Sequence, residues 1–165
     1  MARKSKSFRE LIAQENLTKK NEDSFEEVNN TVIKNRLNAQ GVKFVENPEG
    51  YEKMSEILIE FVKPYLDNAK TYQRRQALFG LAVASWNMAI LPEKERQKTL
   101  KNMLKKLDKH KDPELANDTQ ILIEQFIERK LTLFADCNRL ITDFELHERP
   151  GFVDISVASV PSKKK

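Results

Sequence analysis

Ala77-Leu78-Phe79-Gly80-Leu81-Ala82-Val83-Ala84-Ser85-Trp86-Asn87-Met88-Ala89-Ile90-Leu91 is the least polar stretch of the chain, and its reading decides the fold. It is shorter than the roughly 18 apolar residues that a membrane span requires, and Gly80, Ser85 and Asn87 interrupt it. A helix that is apolar on nearly every side belongs in the interior of a domain. A helix over 71–90 is therefore expected at the centre of the molecule. Ala77, Gly80, Ala84 and Ser85 are small, so a second helix is expected to approach closely, with Gly80 acting as a packing glycine.

Trp86 and Asn87 lie inside this stretch. A buried Asn needs hydrogen-bond partners, because leaving a buried polar group unpaired costs about 1–3 kcal/mol. Two readings are open: the pair locks neighbouring helices together, or it lines a recognition pocket. Arg74 and Arg75, at the polar start of the same helix, are either solvated or contact an acidic partner.

Towards the N-terminus, Pro64 should kink or end a helix over 50–68. Its apolar stripe is Tyr51, Met54, Ile57 or Leu58, Phe61, Val62 and Leu66, with Glu52, Glu56 and Glu60 opposite. Before it come the turn Asn47-Pro48-Glu49-Gly50 and a short β-prone segment, Val42 to Glu46. A helix over 24–40 opens on the capping box Ser24-Phe25-Glu26-Glu27 and closes at Gly41. Residues 1–23 read as a flexible basic arm.

Towards the C-terminus, Pro92 and the acids Glu93 and Glu95 suit the start of a helix reaching about Lys109. A last helix is expected over 114–147, on apolar positions that include Ile121 to Ile123, Phe126, Ile127, Leu131, Phe134, Cys137, Leu140, Ile141 and Phe144. Unbroken, it would be about 50 Å long at 1.5 Å per residue, so it should bend near Glu128-Arg129-Lys130 or reach out of the domain. After Pro150-Gly151 the chain alternates, with Phe152 leading into Val153, Ile155 and Val157 on one side. Such a strand needs a partner for its backbone: either Val42 to Val45 or a strand from another protein.

The expected fold is thus all-α, a single-domain bundle of about five helices over 24–148. The basic arm precedes it and a short extended, β-like tail over 149–165 follows. The composition agrees, with only 4 Gly and 6 Pro in 165 residues and 39% hydrophobic against 33% charged residues. One Cys excludes an intrachain disulfide and fits a reducing compartment. No secretory apolar region follows the basic N-terminus, so a cytoplasmic protein is expected.

The formal net charge of +4 is carried by the ends. Residues 1–24 hold six basic and four acidic groups, and Lys163 to Lys165 add three more positive charges. One internal segment is strongly one-sided. Lys94, Lys98, Lys101, Lys105 and Lys109 fall within roughly 80° of one another at 100° per residue, with Leu100, Met103, Leu104 and Leu107 on the other side. This ridge is either a solvated face or a track for nucleic-acid phosphates, or for an acidic protein or lipid surface. It has no arginine and no interleaved aromatic, which argues against base readout or stacking.

Catalytic chemistry is not legible. His110 and His147 share no ligand spacing with Cys137, and no Gly-rich phosphate loop is present. On a continuous helix Cys137 and His147 would stand ~15 Å apart, so Cys137 reads as a core residue. Glu124 and Glu128, like Glu52, Glu56 and Glu60, read as solvated helix faces, because the Glu-x-x-His element of a bundle metal site is absent. No catalytic residue, metal or cofactor is expected.

The leading expectation is a non-catalytic interaction protein (an adaptor, regulator or assembly subunit) with a protein partner or a second copy of itself. Its contacts would be Arg74, Arg75, Trp86, Asn87, Phe152, Val153, Ile155 and Val157. The alternative is a nucleic-acid accessory protein using the tails and the lysine ridge. A third is an enzyme of unfamiliar type, with Trp86 and Asn87 in its pocket.

Overall fold

The computed structural model describes residues 33, 35–36, 52–108, 112–149 and 152–162. The chain divides into two compact units, Met1–Glu46 and Asn47–Lys165. In the first, Ile33, Asn35 and Arg36 are helical, within the span expected as a helix over 24–40. The rest of that helix, the basic arm, the β-prone segment at 42–46 and the turn at 47–50 lie outside the described residues, as do Lys109, His110 and Lys163 to Lys165.

The second unit is mostly helical and carries a two-stranded antiparallel sheet. Its elements are α1 (Met54–Val62), a 3-10 turn (Lys63–Asn68), α2 (Tyr72–Ile90), α3 (Glu93–Asp108), α4 (Pro113–Leu133), β1 (Arg139–Arg149) and β2 (Phe152–Pro161). No helix among the described residues is long and apolar enough to cross a membrane.

Pro64 acts as expected: the α-helical part of the 50–68 segment ends at Val62, and the chain continues as the 3-10 turn. α1 buries Met54, Leu58, Phe61 and Val62 of the stripe read from the spacing; Leu66 is half-buried in the 3-10 turn, and Tyr51 lies outside the described residues. α2 starts at the N-cap Thr71, whose hydroxyl accepts from the Arg74 amide at 3.3 Å. It packs against α4 and β1, while α1 packs against β2. An aromatic cluster centred on Phe61 ties these elements together. Its ring lies 5.1 Å from Trp86 at 85°, 5.5 Å from Phe134 at 90° and 5.1 Å from Phe126. The first two are edge-to-face contacts, in which a positive ring edge meets a negative face. A second cluster, Met88, Ala89, Leu100, Ile123 and Ile127, joins α2, α3 and α4.

The helix expected over 114–147 is not formed. α4 ends at Leu133 and the chain becomes a hairpin, so the domain is not all-α and its C-terminal segment is not a separate tail. The end of α4 is marked by two bonds to one carbonyl. The Phe134 carbonyl accepts from the Lys130 ammonium at 2.7 Å and from the Cys137 amide at 3.1 Å. Both of its lone pairs are thereby used in closing the turn. Beyond Asn138 the apolar residues fit period two: Phe144 and Leu146 alternate with Asp143, Glu145 and His147. Leu140, Ile141 and Phe144 also fit a helical stripe, and that ambiguity produced the wrong expectation.

β1 and β2 pair from Arg139↔Pro161 to Arg149↔Phe152, leaving Pro150-Gly151 as a two-residue connection. A two-residue loop containing Gly between two alternating runs is a hairpin signal. The partner of β2 is therefore β1, rather than Val42 to Val45 or another protein's strand. A register shift between Ile141 and Asp143 lets Ile141, Phe144 and Leu146 all pack on the core.

Helix ends elsewhere are closed by arginines. Arg129 donates to the carbonyls of Phe61 (3.0 Å) and Glu60 (3.1 Å) at the end of α1. Arg96 donates to Ala89 (3.3 Å) and Leu91 (3.2 Å) at the end of α2. Terminal carbonyls lack intrahelical donors, and a cation there also meets the negative end of the helix dipole.

Candidate interaction surface

Trp86 and Asn87 serve the fold. Trp86 is 0% exposed, and its indole N–H donates to the Arg139 carbonyl at 2.8 Å. The Asn87 side-chain amide donates to the Ile141 carbonyl at 2.8 Å and accepts from the Ile141 N–H at 2.9 Å. It thus stands where a neighbouring strand would stand. The Tyr72 hydroxyl adds a bond to the Leu146 carbonyl at 3.3 Å. Three side chains of α2 thereby occupy the edge of β1 that faces away from β2. Helix was expected to be locked to helix; Asn87 instead ties α2 to the backbone of a strand. Burial takes Trp86 out of surface contact, and one donor and one acceptor of the half-buried Asn87 amide are used within the chain.

The other expected contacts divide. Arg74 is exposed, whereas Arg75 donates to the Ala69 carbonyl at 3.0 Å and closes the 3-10 turn. Ile155 is buried, and Val153 and Val157 pack on the core beside it. Their common side is the one read from the sequence, but it faces this chain's own helices rather than a partner. The Phe152 side chain lies outside the described residues. Gly80 differs from expectation too. A Cβ added there would meet nothing within 4 Å, so no close helix approach requires it.

Lys130 and Cys137 form the most unusual polar neighbourhood. Lys130 is 2% exposed, and its ammonium lies 4.6 Å from the centre of the Trp86 ring. Burial pushes its pKa below the ordinary lysine value, while Cys137 and Asp136 nearby pull partly the other way. Burial raises the Cys137 thiol, against the opposing pull of Lys130 and Arg139. Its sulfur lies 3.7 Å from that of Met54. Cys137 thus packs beside the core, as expected, but from the turn after α4 rather than from a helix. A raised thiol is the opposite of an activated thiolate. His147 lies on β1, eight residues beyond Arg139, or roughly 26 Å at 3.3 Å per residue. Among the described residues no group of three or more His, Cys, Asp or Glu is placed to hold a metal.

The surface that remains is built by α3 and α4. In α3, Glu93 takes an ion pair from Arg96 at 2.9 Å and a hydrogen bond from Gln97 at 2.8 Å, organising the first turn. Leu100 is buried, and Lys94, Lys98, Lys101 and Lys105 are all exposed on the opposite side. None of these four lysines has an ion pair with a described residue, unlike Lys63 with Glu60 and Arg96 with Glu93. α4 begins with Pro113 after the N-cap Asp112, whose carboxylate accepts from the Leu115 amide at 3.0 Å.

An open cleft runs between the two helices. Arg96, Gln97 and Leu100 line it from α3, and Glu124, Ile127, Glu128, Leu131 and Thr132 from α4. Its floor is Leu100 and Ile127. Leu131 on its wall is 43% exposed, and Ile121, 46% exposed, stands one turn before Glu124. Spacing alone assigned Ile121 and Leu131 to a core-facing stripe and the glutamates to solvent. That they share a face could have been read from the positions 121, 124, 128 and 131, which recur at helical spacing.

No protein-family model, no curated protein and no solved structure matches the chain. The fold and this surface define a mostly helical chain with a two-stranded antiparallel sheet, and function has to be argued from the surface itself.

Proposed function

We propose that this chain is a non-catalytic interaction protein that contacts a protein partner through the α3–α4 face. The observation that carries the reading is the exposure of Leu131 and Ile121 beside an apolar-floored cleft with charged walls. Interfaces centre on buried apolar anchors with a polar rim. Two of the features that first suggested a docking protein, a projecting long helix and an open C-terminal strand, are absent, so the reading now rests on this face.

The test is photo-crosslinking in the native host from positions 121, 128 and 131, with exposed position 74 as a control. A crosslink to one protein species from the α3–α4 positions, lost on Leu131→Asp, is the expected outcome. Equal labelling from all positions, or none, would refute it.

A second reading has its own support: the four described lysines of the ridge are exposed and have no ion pair among the described residues, so they are available to phosphates. Nucleic-acid binding would then weaken steeply with salt. Replacing Lys94, Lys98, Lys101 and Lys105 by Gln would reduce the salt slope by about 3–4 on B-DNA. Absence of binding at low salt would remove this reading.

A further inference from the structure

Lys94, Lys98, Lys101 and Lys105 recur every three or four residues, so they form a single row about 17 Å long at 1.5 Å per residue. All four are exposed. The other side of α3 is fixed in place. Leu100 is buried with Met88, Ala89, Ile123 and Ile127, and Met103 and Leu104 pack against that cluster. The row is therefore carried on an anchored helix, and it lies on a different side of α3 from the Leu100 floor of the cleft.

The chemistry of the row is narrow. α3 contains no aromatic residue. Its single arginine, Arg96, is held by Glu93 and by the carbonyls of Ala89 and Leu91. A lysine is a donor-only point charge, without the planar fork that reads a base edge or stacks on a base. The row can neutralise phosphates, and it has nothing with which to hold bases.

That restriction selects the form of the polyanion. Single strands are held largely by stacking of bases on aromatic side chains, worth about 1–3 kcal/mol per base. A duplex keeps its bases stacked on one another and needs no such platform. Each lysine–phosphate contact also releases more counterion from a duplex, about 0.9 on B-DNA against about 0.7 on a single strand. Modules that read duplex RNA contact 2′-hydroxyls and bridge two successive minor grooves over about 16 bp, farther than this row extends. We infer that the α3 row binds the phosphate backbone of double-stranded DNA, without regard to sequence and in preference to a single strand. This rests on the second reading above and names its ligand.

Glu95, exposed beside Lys94, sets a like charge against a phosphate at that end, so four contacts is the upper figure. Four contacts give a slope of log K on log salt of about −3.6 for the duplex and about −2.8 for the single strand. The preference itself therefore depends on salt: roughly sixfold at 0.1 M and roughly fortyfold at 0.01 M, relative to 1 M.

The test is fluorescence anisotropy of the full chain across a salt series, with two unrelated DNA duplexes, their separated strands and an RNA duplex of matching sequence. The two DNA duplexes should bind alike, and their advantage over the single strands should widen as salt falls. The quadruple variant Lys94→Gln/Lys98→Gln/Lys101→Gln/Lys105→Gln should lose the duplex preference, with circular dichroism checking that the helices persist. No binding of any nucleic acid at low salt removes the second reading and this inference together. Single strands bound as tightly as duplexes at low salt, with binding lost in the quadruple variant, keep the row as a phosphate contact and overturn the duplex. Tighter binding of the RNA duplex overturns the choice of DNA, and duplex binding unchanged in the quadruple variant overturns the row as its site.

Discussion

Replacing Asn87 by Ala removes both hydrogen bonds that its side chain makes to Ile141 and leaves no described donor or acceptor in their place. Ile141 is 3% exposed, so its N–H and C=O are poorly placed to recover water. Each orphaned buried group costs about 1–3 kcal/mol. Asn87 itself is only half-buried, so water entering the shortened side chain's place offsets part of the loss. A net cost of about 3 kcal/mol follows. For a chain of this size that lowers Tm by roughly 6–12 °C. With a urea m-value of about 2 kcal/mol/M it lowers the midpoint by roughly 1.5 M.

The informative companion is Asn87→Asp. An ionised carboxylate still accepts from the Ile141 N–H but turns a second acceptor towards the Ile141 carbonyl, whereas the protonated acid can donate to it. The folded state therefore favours the acid form and raises its pKa. Stabilisation from the protonated form is complete below the ordinary Asp pKa and is lost as pH rises through the folded value. The penalty of Asn87→Asp should accordingly be smaller at pH 4 than at pH 7, while that of Asn87→Ala changes little between them. Amide exchange at Ile141 provides the local readout. If Asn87→Ala lies within about 0.5 kcal/mol of wild type and Ile141 exchange is unaltered, the strand-mimic role of Asn87 is wrong.

Two further predictions concern positions where the structure departs from ordinary helix chemistry. Lys130 has a folded pKa below its unfolded value near 10.5. The unfolded chain therefore binds more protons between these values, and stability rises with pH across that window. In a Cys137→Ser background, which removes the thiol titration, wild-type Lys130 should gain stability relative to Lys130→Met as pH increases towards 10.5; a flat or inverted difference in urea midpoints would refute the assignment. Gly80→Ala, in the middle of α2 with open space for a methyl group, should stabilise by about 0.5–1 kcal/mol, and a loss of stability would show that the glycine is needed for packing after all.

What the sequence by itself determined is local. Pro92 followed by Glu93 and Glu95 marks a helix start by chemistry that acts within one turn, and α3 begins at Glu93. The apolar density of 77–91 likewise settled that α2 is central, and the angular spread of Lys94, Lys98, Lys101 and Lys105 settled that they share one face. These features depend on residues no more than a few positions apart.

The tertiary structure alone decided the rest. Leu140, Ile141, Phe144 and Leu146 satisfy helical and strand spacing about equally. What selects the strand lies outside the segment: β2, whose partners for these four residues stand nine to twenty positions on, supplies one ladder, while Trp86 and Asn87, more than fifty residues earlier, bond to Arg139 and Ile141 on the other edge. The halt at Leu133 similarly depends on burying Lys130 beneath Trp86, where its ammonium is held against the Phe134 carbonyl. The face shared by Glu124, Glu128 and Leu131 became a candidate site only when α3 was seen to leave it uncovered. Local spacing determines which side of a helix is apolar; whether that side is buried depends on how much of it the neighbouring elements cover.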